Sequence, residues 1–192
     1  MYAELLGDAT LYEILLRIDE DLAAQARAAG CACGGRLHSA VYPRKPRGAP
    51  MALGVEYDWR QSFCCEVDGC RRRTTPPSVR FLGRKVYLGA VVVLVSALRQ
   101  GPSPTRVRVL HELFGVGERT LRRWRQWWQT IFVESSFWRA ARGRLVPSIA
   151  AQEMPRALAE RFGVQAGDGL VRLLRFLSPS TTASCVLAGG GF

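Results

Sequence analysis

The chain of 192 residues is 48% hydrophobic and carries a net charge of +11, from 27 bases against 16 acids. That apolar content sustains a packed core and excludes a wholly disordered chain, and the length suits one ordinary domain or two small ones. The excess of bases, nearly all of them Arg, points to a polyanionic partner, with nucleic acid ahead of an acidic membrane surface.

The charge is unevenly placed. Residues 1–30 hold six acids (Glu4, Asp8, Glu13, Asp19, Glu20, Asp21) and two bases, whereas residues 71–144 hold sixteen bases and three acids, a local net of +13. The longest apolar run, Val86 to Leu98, falls short of the ~20 residues a bilayer requires. Arg84, Lys85 and Arg99 flank it, so it reads as a buried helix, and no membrane partner is expected. The first residues lack the basic n-region of a secretory signal. The expectation is a cytoplasmic, nucleoid-associated protein whose cysteines stay reduced.

Along the chain, Asp8 to Ala29 reads as an acidic amphipathic helix, with Leu11, Ile14, Leu15, Ile18 and Leu22 at helical spacing and Gly30 as its stop. Residues 31–80 form a Cys-bearing unit with β-like runs at Leu37–Tyr42 and Val55–Cys65. Between the runs lies a loop, Pro43 to Pro50, too rich in Pro for a core element. Residues 81–144 carry three helical patterns, roughly Arg84–Leu98, Thr105–Phe114 and Glu118–Glu134, followed by a basic connector, Arg139 to Arg144. Residues 145–192 hold two weaker helices near Pro155–Phe162 and Leu170–Leu177 and a Gly-rich tail, Ala188 to Phe192, expected to be disordered. The predicted fold class is α+β, mainly helical: a small zinc ribbon, then a helix-turn-helix bundle, then extra C-terminal helices.

Cys31-x-Cys33 and Cys65-x4-Cys70 are paired clusters of the kind that supply four thiolates to one structural zinc from two knuckles. Gly34, Gly35 and Gly69 give the knuckles the backbone freedom they need. Cys64 and Cys65 point to opposite faces of a strand, so one of them binds. Cys65 gives the more usual knuckle and is the choice here. His38 is a substitute candidate, and Cys185 reads as an ordinary small residue. Four Cys would close the coordination sphere, so the metal is structural rather than catalytic.

The second constellation is a helical hairpin. Val107, Leu110, Leu113 and Phe114 form the first helix's apolar stripe, and Gly115-Val116-Gly117 breaks it. In the second helix Leu121, Trp124, Trp127, Trp128, Ile131 and Phe132 fall within an arc of about 140°, and Arg119, Arg122, Arg123 and Gln126 cluster opposite within about 100°. Arg and Gln suit guanine and adenine edges or phosphates, and a helix fits a major groove. The segment resembles a helix-turn-helix with Val116 as the buried turn residue. His111 departs from the small residue that the motif generally has there.

The layout from Cys31 to Glu134 resembles the N-terminal part of certain bacterial insertion-sequence transposases. The residues that carry the resemblance are Cys65-x4-Cys70-Arg71-Arg72-Arg73-Thr74-Thr75-Pro76, then Val86–Leu98, then Thr105–Trp128. It implies a zinc ribbon and a helix-turn-helix on double-stranded DNA, followed in those families by a DNA-cleaving domain with metal-holding acids. Here only Glu153, Glu160 and Asp168 follow Glu134, and no nucleophile–base pair or carboxylate dyad stands out, so the chain is not expected to be an enzyme. The expectation is a targeting or end-binding protein that works with a separate transposase or recombinase subunit. It would contact DNA through Arg71, Arg72, Arg73, Arg119, Arg122, Arg123 and Gln126. A transcriptional regulator, homodimeric through the acidic or C-terminal helices, and an RNA-binding protein are the alternatives.

Overall fold

Asp8 opens the longest helix. Its side chain accepts from the Thr10 N–H at 2.9 Å, capping α2 (Ala9–Ala29), and Gly30 ends it at φ 70°, where its N–H bonds the Arg27 carbonyl. A short α1 (Ala3–Gly7) precedes it, fastened by the Tyr12 hydroxyl donating to the Leu6 carbonyl. The computed structural model describes residues 3–44, 53–82, 87–97 and 103–182. The Pro43–Pro50 loop from Lys45 on, the start of the helix expected at Arg84, Cys185 and the Ala188–Phe192 tail lie outside the described residues.

The molecule is mainly helical with small antiparallel sheets. Strands β1 (Leu37–Ser39), β4 (Phe63–Cys65) and β5 (Arg73–Thr74) form one sheet in the order β1-β4-β5, and β2 (Tyr42–Pro43) pairs with β3 (Trp59–Arg60) in a second. The run expected as one strand from Val55 to Cys65 is broken. Val55–Asp58 is a 3-10 turn, and the strand after it is interrupted at residues 61 and 62. The turn buries Tyr57 and frees the Tyr57 and Trp59 carbonyls to accept from Arg80.

The core is organised around α3 (Gly89–Ser96), every residue of which is buried. A helix with no polar face must be wrapped on all sides, and α5 (Glu118–Trp127), α7 (Arg156–Phe162) and α8 (Gly167–Leu177) pack on it. It begins at Gly89, later than the sequence pattern predicts, because Leu88 is extended and the Gly89 N–H turns back to the Arg80 carbonyl at 2.7 Å. Leu11, Tyr12, Leu15 and Ile18 of α2 enter the same core, so the acidic helix is part of the body. On α8, Gly169 is required: a Cβ there would stand 2.2 Å from the Gly163 carbonyl oxygen.

Asp19 is the acid of α2 that faces inward. It is 1% exposed, as is Arg80, whose Nε donates to it at 2.9 Å, and it also accepts from the Ser78 hydroxyl and the Val79 N–H. Arg80 lies over the rings of Tyr57 and Phe81. Every strong polar group of the pair thus has a partner, which is the condition for burying charge.

Two further expectations change. The helix from Glu118 is α-helical only to Trp127. Trp128–Phe132 forms a π-helical turn, where the Thr130 hydroxyl donates to the Gln126 carbonyl, and Glu134 lies beyond it. The basic connector expected at Arg139–Arg144 is mostly helical, comprising the end of α6 (Ser136–Ala141) and a 3-10 turn. Ser135 caps α6 by accepting from the Trp138 N–H.

Candidate metal centre and nucleic-acid interface

Four sulfurs meet where the two knuckles face each other. The Sγ atoms of Cys31, Cys33, Cys65 and Cys70 all lie within 4.8 Å of one another, with Cys33 to Cys65 at 3.5 Å and Cys31 to Cys70 at 3.8 Å. Four thiolates bonded at about 2.3 Å to a central tetrahedral zinc stand about 3.8 Å apart, so the set fits such an ion. The backbone sets this geometry. Gly34 and Gly69 take φ of 85° and 87°, which reverse the chain at each knuckle. Gly35 lets the knuckles close, since a Cβ there would stand 2.8 Å from the Cys65 Sγ.

Strand parity separates the adjacent cysteines. Cys65 pairs with Leu37 and is buried on the cluster face, whereas Cys64 pairs with His38 on the other face and turns its thiol to the Arg71 carbonyl. His38 is not brought to the cluster; its Nε2 lies 3.2 Å from Glu66 in the solvent. The thiols differ in acidity. The Gly35 N–H and then the neighbouring thiols lower Cys33 to about 7. The Val67 N–H lowers Cys65, but burial and the other three thiols outweigh it and push Cys65 up to about 12.

The helical hairpin comprises α4 (Pro104–Phe114), a turn at 115–117 and α5. Gly115, at φ 63°, sends its N–H back to the His111 carbonyl in an αL-type closure, Val116 N–H reaches the Leu110 carbonyl, and Val116 is fully buried, which locks the turn. The Tyr87 hydroxyl donates to the Gly115 carbonyl while its ring stands edge-on to Trp124 at 5.0 Å, tying the turn to α5. Sequence reading missed Tyr87 because it sits inside the apolar run. On α4, Leu110 and Phe114 are buried, but Leu113 is 52% exposed and leaves the apolar stripe predicted for it. His111 is exposed and does not lie between the helices.

Leu121, Trp124, Trp128 and Phe132 are buried, with Trp127 and Ile131 half-buried at the edge of their arc. Arg119, Arg122, Arg123 and Gln126 are all exposed. Arg122 pairs with Glu118 at 2.6 Å, whereas Arg119 and Arg123 have no ion-pair partner among the described residues. Directly after Cys70, Arg71, Arg72 and Arg73 are exposed. Arg71 pairs with Asp68, and the other two have no ion-pair partner among the described residues. No helix among the described residues is long and apolar enough to cross a membrane. No family model, curated protein or solved structure matches this chain.

Proposed function

We propose that this chain is a zinc-stabilised, non-catalytic DNA-binding protein that serves a transposon or insertion sequence at its ends or target, beside a separate transposase or recombinase subunit. The observation that carries the DNA reading is the two-faced α5: a Trp-rich face in the core and Arg119, Arg122, Arg123 and Gln126 in the solvent. From Arg119 to Gln126 the helix rises about 10 Å, the length of about three base pairs. This face therefore reads about three base pairs in a major groove, with Arg123 and Arg119 free to bond guanine edges or phosphates. The zinc is held by Cys31, Cys33, Cys65 and Cys70 and is structural: it fixes the segment after Cys70 through which Arg72 and Arg73 approach flanking phosphates. The link to transposition rests on the resemblance of the Cys65–Pro76 segment and the helices after it.

The test is fluorescence anisotropy of the zinc-loaded protein with duplex DNA, single-stranded DNA and duplex RNA between 50 and 200 mM salt. Duplex DNA should bind tightest, with a log–log salt slope of about −4 to −5 for five phosphate contacts. Tighter binding of RNA, or a flat salt dependence, would remove the DNA reading.

A further inference from the structure

The four sulfurs that close the ribbon are not equally reachable. Cys31 and Cys65 are buried and Cys70 is half-buried, but Cys33 is exposed at the tip of the first knuckle. The Cys65 sulfur lies 3.5 Å from it, across the gap between the knuckles. Cys64 is next to Cys65 in sequence but bonds the Arg71 carbonyl on the opposite face. An oxidant arriving from solvent therefore meets Cys33 first, with Cys65 in place behind it.

The core beneath these residues is separate and small. Ala23, Cys31, Leu37, Phe63 and Cys65 form their own buried cluster, apart from the large one built on α3. Two of those five are metal-site cysteines, so the cluster has little to hold it once the centre opens. The neighbouring Tyr57–Arg60 segment is anchored to the helical body instead, through Arg80 and Asp19. Damage to the centre is thus confined to the knuckles, the sheet between them and the last turns of α2 that carry Ala23.

We propose that the thiolate centre is a peroxide-responsive switch: oxidation at exposed Cys33 joins it to Cys65, expels the metal and unfolds the ribbon while the helical body stays folded. This rests on the zinc reading above. Hydrogen peroxide, or a hydroperoxide, is the oxidant. Its O–O bond breaks on attack by the Cys33 thiolate, giving a sulfenic acid and a hydroxide that takes a proton and leaves as water. The Cys65 thiolate then attacks the Cys33 sulfur, forming the S–S bond and releasing a second hydroxide, which is likewise protonated. Two electrons have passed from two thiolates to the peroxide. The disulfide takes Cys33 and Cys65 out of the donor set, so Cys31 and Cys70 alone would be left to hold a zinc ion, too few for the closed four-thiolate site. Arg71 to Arg73 follow Cys70 directly, so they lose their fixed position, whereas the exposed face of α5 does not. DNA affinity should then fall alike for all sequences, and the salt slope should shrink by about 0.9 for each phosphate that these arginines no longer neutralise.

The experiment uses the full chain, freed of reductant and treated with equimolar hydrogen peroxide. Released zinc is read with a chromogenic chelator, thiol pairing by alkylation and peptide mapping, and helix content by circular dichroism. The switch requires metal release, Cys33–Cys65 as the first disulfide, Cys64 still alkylated, a retained helical signal, and restoration by dithiothreitol plus zinc. Cys64→Ser should respond as the wild type does. Metal kept through the treatment, a first disulfide within one knuckle or through Cys64, or collapse of the helical signal would overturn the switch and leave the metal centre standing. Protein that carries no metal as purified would remove the metal reading and the switch with it.

Discussion

Replacing Asp19 with Ala should cost more stability than any other single change at an acid in this chain. Asp19 and Arg80 are each 1% exposed, and the carboxylate takes three donors: the Ser78 hydroxyl at 2.5 Å, the Val79 N–H at 2.7 Å and Arg80 Nε at 2.9 Å. Truncation leaves a guanidinium buried against the Tyr57 and Trp59 carbonyls with no counter-charge. Breaking one side of such a pair costs about 3–5 kcal/mol, a large share of the 5–15 kcal/mol that holds a typical domain folded. With a urea m-value of about 2–3 kcal/mol/M, the unfolding midpoint should drop by roughly 1–2 M. The double variant Asp19→Ala/Arg80→Met removes both charges and should recover much of the loss, because the uncompensated cation is gone. The assay is urea unfolding followed by circular dichroism and Trp fluorescence. A loss under about 1 kcal/mol for Asp19→Ala, or a double variant worse than the single, would refute the reasoning.

Cys65→Ser should abolish zinc retention and melt the ribbon, whereas Cys64→Ser should leave both intact, as measured by elemental analysis and thermal unfolding. Trp124→Ala opens a cavity between α5 and Tyr87 and should cost about 3–5 kcal/mol in urea unfolding, losing DNA binding only through unfolding. Burial raises the Tyr12 and Tyr57 hydroxyls well above the usual tyrosine range. The folded state therefore keeps protons that the unfolded chain gives up above about pH 10. The tyrosine contribution should be level below that pH and fall above it by about 1.4 kcal/mol per pH unit for each tyrosine, so Tyr12→Phe should make the alkaline fall shallower by about 1.4 kcal/mol per pH unit.

Local pattern carried a good deal of this structure. The ends of α2 follow from Asp8 and Gly30, the α5 faces from a 100° period, and the preference for Cys65 over Cys64 from strand parity together with knuckle spacing. What escaped depends on partners distant in sequence. Asp19 reads as one more surface acid on an acidic helix until Arg80, sixty-one residues away, is placed against it. The Val55–Cys65 run alternates well enough for a strand, but its first four residues form a 3-10 turn, and the Tyr57 and Trp59 carbonyls on either side of its end accept from the distant Arg80. Tyr87 is one apolar residue among many until the Gly115 carbonyl gives its hydroxyl an acceptor. The π turn at Trp128–Phe132 has no sequence signature, since its apolar positions also fit an α-helical period.

The central claim is that α5 is the DNA-reading element, and one variant tests it most directly. Arg119→Ala/Arg122→Ala/Arg123→Ala changes only exposed side chains, so the protein should unfold at nearly the wild-type urea midpoint. Its affinity is then measured by anisotropy against a duplex site selected with the wild-type protein and against a scrambled duplex. The account predicts a loss of about 3 kcal/mol or more on the selected site, a much smaller loss on the scrambled one, and so a collapse of the ratio between them. Unchanged binding to the selected site by the folded triple variant would contradict it and make the hairpin a scaffold.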